Sequence, residues 1–184
     1  MSFFHLLISA LAFAGSEFDG NWKQPCVRGY QKEELFLAHS ATYTEHNFRD
    51  VSCLTPSVDL ISRGSLIAGA PLLEPLGASE LDFIFSSVSL APRDAAAAEF
   101  YESVSLCGLS GWRLNEEKEI TGLACDLFGT GLKLQVPSAG DRKYGIVKRE
   151  GESLYLGRLS PERDGNTALR RPRDLDPVAY RLAR

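Results

Sequence analysis

Short stretches of alternating apolar and polar residues run through most of this chain, separated by clusters of Gly, Pro, Asn and Asp. A period of two sends successive side chains to opposite faces, so these stretches predict half-buried strands. Trp22 to Val27 opens the series, and Gly29-Tyr30-Gln31-Lys32 reads as a turn. Glu34 to Thr44 is rich in strand-forming Thr, Tyr and Phe, with Leu35, Leu37, Ala41 and Tyr43 on one face and His39 among them. Glu45-His46-Asn47 reads as the next turn, with Phe48 to Leu54 returning. Val58 to Ile67 is a further strand, in which Gly64 marks a bulge. Glu80 to Leu90 places Leu81, Phe83 and Phe85 on one face and Ile84, Val88 and Leu90 on the other. Apolar residues on both faces imply cover on both faces. The cover is predicted to be helical: Pro92, Arg93 and Asp94 lead into Ala95 to Tyr101, the one stretch of strong helix propensity. A loop from Cys107 to Cys125 follows, then strands at Leu132 to Val136, Tyr144 to Arg149 and Ser153 to Leu159. A long polar loop, Pro161 to Pro177, precedes a last strand at Val178 to Ala183.

This succession predicts a mainly β fold, an antiparallel barrel with one short mid-chain helix. A length of 184 residues suits one domain. Residues 2–13 form an apolar run, and Ala12-Phe13-Ala14 has the small-x-small pattern of a signal-peptidase site. Residues 1–14 therefore read as a signal peptide cleaved after Ala14, with 15–184 as the barrel domain. The other reading of this run is a buried N-terminal strand or helix. The run falls short of the ~20 apolar residues that span a bilayer, and no later stretch predicts a transmembrane anchor. The expected location is secreted or periplasmic.

Formal charge is −4, which argues against a nucleic-acid partner, since such binders present basic patches. Arg158 to Arg184 is nonetheless rich in arginine, either an anion-facing surface or a solvated loop and edge strand. The four cysteines, Cys26, Cys53, Cys107 and Cys125, allow three pairings. In an exported chain their spacing favours neighbours, Cys26 with Cys53 and Cys107 with Cys125. A zinc site is the competing reading, without the close C-x2-C pairs that zinc sites use.

Signs of catalysis are sparse. Gly108-Leu109-Ser110-Gly111 is one residue short of a nucleophile elbow and lacks its strand-turn-helix setting. His39 and His46 have no third partner for a metal. Asp164, Asn166, Asp174 and Asp176 form no complete calcium loop. Gly129-Thr130-Gly131 is too short for a phosphate loop. No enzyme, metal or cofactor is expected. The aromatics Tyr43, Phe48, Phe83, Phe85, Tyr144 and Tyr155 lie on predicted strands. Inward side chains of a small barrel either fill it or line one ligand cavity. These six are the candidate contacts for a small hydrophobic ligand; a filled core would leave a surface for an envelope or extracellular protein partner.

Gly20-x-Trp22 after a signal peptide, followed by antiparallel strands, one helix and an arginine-bearing last strand, resembles the lipocalin or wider calycin group. Trp22-x3-Cys26, Tyr43-x4-Phe48 and Cys53 are similar to the lipocalin-like domain of adenomatosis polyposis coli down-regulated proteins and bacterial relatives. Cys107-Gly108-x3-Trp112 with Ile120-Thr121-Gly122 and Cys125 resembles small exported bacterial lipocalin-like proteins, as do the tail motifs Leu154-Tyr155-Leu156-Gly157, Asp164-Gly165, Arg171-Pro172 and Leu175-Asp176. The resemblance implies an exported, non-catalytic barrel that binds an apolar molecule or a protein. It also implies that Gly20 and Trp22 close one barrel end under an arginine, for which Arg181 is the first candidate and Arg170 and Arg171 the next.

Overall fold

The computed structural model describes residues 17–127 and 130–183. The predicted signal peptide and Gly129 lie outside the described residues. Eight strands form a closed antiparallel barrel. They are β1 Gly20–Lys23, β2 Tyr30–Leu37, β3 Ser40–Phe48, β4 Pro56–Pro71, β5 Ser79–Pro92, and, after three short strands, β9 Arg142–Glu150, β10 Ser153–Leu156 and β11 Tyr180–Leu182. Hydrogen bonds run in the order β4-β3-β2-β1-β11-β10-β9-β5, and β5 pairs back onto β4. Trp22 opposite Leu182 and Lys23 opposite Arg181 join the first and last strands. Closure leaves no long edge for another chain to pair with.

Between β5 and β9 the chain leaves the barrel wall. Helix α1, Ala95–Ser103, starts where Asp94 accepts a hydrogen bond from the Ala97 amide at 2.6 Å, capping an otherwise orphaned donor. Short strands β6 Lys118–Glu119, β7 Ala124–Cys125 and β8 Leu134–Gln135 follow. Disulfides join Cys26 to Cys53 and Cys107 to Cys125, the neighbour pairings.

The first hairpins differ from expectation. Tyr30 begins β2, after a turn at Arg28–Gly29 where both residues take positive φ. The β2–β3 turn is Ala38–His39, between paired Leu37 and Ser40. Residues 45–47 lie inside β3, and residues 49–55 form a loop held by Asp50, whose carboxylate accepts from the amides of Ser52, Leu54 and Thr55. The early turn survives without glycine because Ala38, at φ 54°, donates its amide to Asp19 at 2.9 Å. It also resets the faces: Phe36 and Ala41 point inward together, while Leu35 and Leu37 are exposed.

A second correction concerns β5. Arg63 pairs with Ser87 but Gly64 with Phe85, so Ser86 is an extra residue, a β-bulge. The bulge puts Val88 and Leu90 on the same face as Leu81, Phe83 and Phe85. Gly64 sits where the strands crowd; a Cβ there would lie 2.1 Å from the Ile84 carbonyl oxygen. Below the bulge, Leu81 packs in the barrel core with Trp22, Phe36, Ala41, Val147, Leu154 and Tyr180. Above it, Val88 and Leu90 pack in a second core with Tyr101, Leu106, Trp112 and Ile120 from the covering segment.

Candidate functional site

Strand directions sort the loops into two ends. One end holds the start of β1, the β2–β3, β4–β5 and β9–β10 turns, and the end of β11. Here the interior is sealed. Trp22 is fully buried and donates its indole N–H to the Phe18 carbonyl at 2.7 Å. The cation over its ring is Arg149, 5.3 Å from the centroid, which also donates to the Glu17 carbonyl. Arg181 is on the outer face of β11, between the inward residues Tyr180 and Leu182, and donates to Ser153 Oγ. Arg171 and Arg170 serve the long loop. The closing arginine is thus Arg149. Gly20 has φ 143°, and a Cβ there would meet Leu182 Cδ1 at 2.6 Å, so closure needs the glycine as well as the tryptophan.

At the opposite end lie the loops joined by Cys26–Cys53, the covering segment and the long 157–179 loop. Toward it the inward residues of β2, β3 and β9 become more accessible and more polar, while those of β5, Val88 and Leu90, stay buried beneath the covering segment. Along β2, Phe36 and Glu34 are buried, while Lys32 and Tyr30 are partly exposed. Along β3, Ala41 is buried and Tyr43 and Glu45 are partly exposed. Along β9, Val147 is buried and Gly145 and Lys143 are partly exposed. A cavity of about 350 Å³ at this rim is lined by Phe85, Val136, Pro137, Lys143 and Asn166, among others. The interior is therefore sealed at the Trp22 end, and at the other end the covering segment packs on its β5 side while the β2, β3 and β9 side is partly exposed.

The partly exposed side carries a polar cluster on neighbouring strands. Glu34 pairs across strands with Tyr43, and the Tyr43 hydroxyl donates to Glu45 Oε1 at 2.6 Å. Burial pushes the Glu34 carboxyl well above its usual range; Lys32 opposes the shift and Glu45 adds to it. Burial likewise raises Tyr30, Tyr43 and Tyr180, reinforced by the nearby glutamates. Glu34 is 6 % exposed.

Of the six aromatics singled out from sequence, Tyr43, Phe83 and Phe85 face inward, the two phenylalanines edge to face at 4.8 Å. Tyr144 and Tyr155 alternate to the outer face, Tyr144 opposite Asp82 and Tyr155 opposite Lys148. Tyr144 lies beneath the guanidinium groups of Arg142 and Arg171. Phe48 sits at the irregular end of β3, where pairing with β4 slips. Sequence reading missed Glu34, Glu45, Tyr30 and Tyr180. The unused signal was two glutamates on strands whose neighbours of the same parity, Phe36 and Tyr43, are large and apolar.

The outer wall carries its own networks. His46 contacts Asp59 through Nδ1 at 2.8 Å and Glu33 through Nε2 at 3.3 Å. Arg93 donates to the other Asp59 oxygen at 2.6 Å, and Asn21 donates to Glu33 at 2.8 Å. The hydrogen bond to Asp59 raises the His46 pKa; burial opposes it and Glu33 adds to it. Asp82 is buried and gathers Arg142 and Arg171, while Arg171 also bonds the Gly145 carbonyl. Elsewhere in the long loop Arg170 pairs with Asp164 at 2.9 Å and Arg158 with Asp174 at 3.5 Å.

Asp164 also accepts from Asn166, and Asp176 from the Val178 amide. Among the described residues no three His, Cys, Asp or Glu side chains gather as a metal site. His39 lies in the β2–β3 turn, apart from His46. The Ser110 carbonyl accepts from Lys118. Thr130 and Gly131 donate their amides to Asp126. Among the described residues no helix is long and apolar enough to cross a membrane.

No protein-family model matches this chain, and no curated protein matches it. The closed eight-stranded antiparallel barrel is compatible with a calycin-like fold.

Proposed function

We propose that this chain is an exported, non-catalytic binding protein of lipocalin-like type that holds a small, largely apolar ligand in a cup at the partly exposed end of its barrel. The observation that carries the reading is the interior gradient. Large buried residues seal one end, and partly exposed Tyr43, Phe83, Phe85 and Leu156 line the wall toward the other. Ligand sites of small barrels have this form, a concave and mainly apolar wall with a few placed polar groups. The two disulfides support folding in an oxidising compartment, secreted or periplasmic, after removal of residues 1–14. Residues 15–184 would then carry the barrel domain.

The alternative, a protein-interaction module with a filled core, has less support. The arginine-rich segment that would serve as its surface is bonded to its own carboxylates and carbonyls.

A titration with N-phenyl-1-naphthylamine, a neutral apolar probe, followed by NMR of the aromatic resonances, tests the cup. Saturable binding that shifts Tyr43, Phe83 and Phe85 and spares Tyr144 and Tyr155 is expected. Binding without shifts at the inward aromatics, or no binding, would count against the reading.

A further inference from the structure

Given the reading that the barrel holds an apolar ligand, one side chain at its mouth narrows the class of that ligand. Lys143 of β9 stands directly opposite Phe83 of β5, so the two side chains share the inner face. Phe83 meets Phe85 edge to face at 4.8 Å. Phe85 and Lys143 in turn line the same cavity of about 350 Å³ at the rim, with Val136 and Pro137. A primary amine is thus set at the edge of an apolar wall. It is also held in place. Its stem passes Gly165, where an added Cβ would lie 3.4 Å from Lys143 Cε, and its Nζ donates to Asn166 Oδ1 at 3.0 Å. Among the described residues Lys143 forms no ion pair, because the charged groups nearby are engaged elsewhere. Asp141 accepts from the Ser138 amide at 2.7 Å, Arg142 donates to Asp82 at 2.6 Å, and Asp164 pairs with Arg170 at 2.9 Å. Burial lowers the Lys143 pKa; Asp164 opposes the shift and Arg170 adds to it. A desolvated lysine keeps a larger share of neutral, nucleophilic amine than a solvated one.

We propose that Lys143 is a covalent anchor for an apolar aldehyde whose chain lies along Phe85 and Phe83. The Nζ lone pair forms the new bond to the aldehyde carbon, the C–O bond breaks, and the carbonyl oxygen leaves as water with the two amine protons. The product is an imine. The step needs no oxidant, reductant or activated leaving group. Hydrolysis returns the free aldehyde, so the bond serves capture and release rather than turnover.

The test treats the disulfide-bonded protein with octanal or propanal at neutral pH in the presence of cyanoborohydride, which reduces imines and spares disulfides. Peptide mapping then locates the alkylated lysines. With octanal, Lys143 should carry about tenfold or more the label of exposed Lys133, a preference of about 1.4 kcal/mol. Propanal, too short to run along the wall, should show a smaller preference. Lys143→Met should fall to the background labelling of the remaining lysines, with an intact melting transition as the folding control. Octanal spread evenly over the lysines, or propanal as selective as octanal, would overturn the anchor. Binding of N-phenyl-1-naphthylamine, measured in parallel, separates the two readings. Even labelling with the probe bound removes the anchor and leaves the cup standing; even labelling with no probe bound removes both.

Discussion

The guanidinium of Arg149 lies 5.3 Å from the centre of the Trp22 ring, and the Trp22 indole N–H is held by the Phe18 carbonyl. Three segments, the start of the chain, β1 and β9, thus meet on one side chain at the sealed end. Trp22→Ala removes a fully buried side chain and leaves a cavity in the barrel core. Its cost should be about 3–5 kcal/mol in urea denaturation. Arg149→Ala should cost about 0.5–2 kcal/mol, the range of a cation–π contact. Arg181→Ala should fall below both, and a larger loss for Arg181 than for Arg149 would contradict this closure.

The disulfides should contribute unequally to different parts of the molecule. In the chain-entropy view each stabilises by about 3 kcal/mol, for sequence separations of 27 and 18 residues. Cys107→Ser with Cys125→Ser loosens the covering segment over Val88 and Leu90. Amide exchange should rise across residues 104–125 before it rises in β1–β3. The pair Cys26→Ser and Cys53→Ser should instead raise exchange in the two loops that it joins.

His46 gives stability a specific pH dependence. Its pKa in the folded protein is raised above the ordinary 6.5, chiefly by the hydrogen bond to Asp59. A raised histidine contributes fully below about 6.5 and loses its contribution as pH rises through the folded value. Glu33 and Asp59 behave oppositely. Burial pushes both up, but the hydrogen bonds they accept and the cations beside them outweigh it, so both end below their ordinary 4.5 and 3.8. Their contribution is present above those values and is lost as pH falls through the lowered ones. The difference in unfolding free energy between the parent and His46→Gln should be largest near pH 5–6 and shrink toward pH 9. A difference that grows with pH would refute the assignment.

Asp82 is the anchor of the long loop. Its carboxylate is 4 % exposed and binds both Arg142 and Arg171. Asp82→Asn leaves Arg142 without its counter-charge and Arg171 with Glu80 alone, at 3.2 Å, a loss of about 3 kcal/mol by the measure of broken buried pairs. Limited proteolysis should then cut between residues 158 and 175 first. Cleavage elsewhere first would show that the loop is held by other contacts.

Much of the architecture could be read from alternation, turn residues and cysteine spacing: the barrel, its one helix, both disulfides and the meeting of Trp22 with the last strand. What could not be read has local causes. The Ala38–His39 turn lacks a glycine and depends on Asp19, distant in sequence, so β2 has the opposite parity to the expectation, with Leu35 and Leu37 outward, while Ala41 and Tyr43 of β3 face inward as expected. The Ser86 bulge depends on crowding at Gly64 from the opposite strand, which no window on β5 contains. Arg149 and Arg181 are equally plausible partners for Trp22 in one dimension; only the alternation along β11 decides that Arg181 faces out. Glu34 and Glu45 give no local signal of facing inward, because glutamate in a strand is usually solvated.

β5 and β9 are neighbours in the wall, hydrogen-bonded from Ser79 opposite Val147 to Ile84 opposite Arg142. Everything from Arg93 to Asp141, including the helix and the second disulfide, is an excursion between two strands that already touch. Growth, trimming or exchange of that excursion leaves the order of the wall intact. In the history of such a chain this is where length can change without re-threading the barrel, and the roof over the cup can be remade while the vessel is inherited.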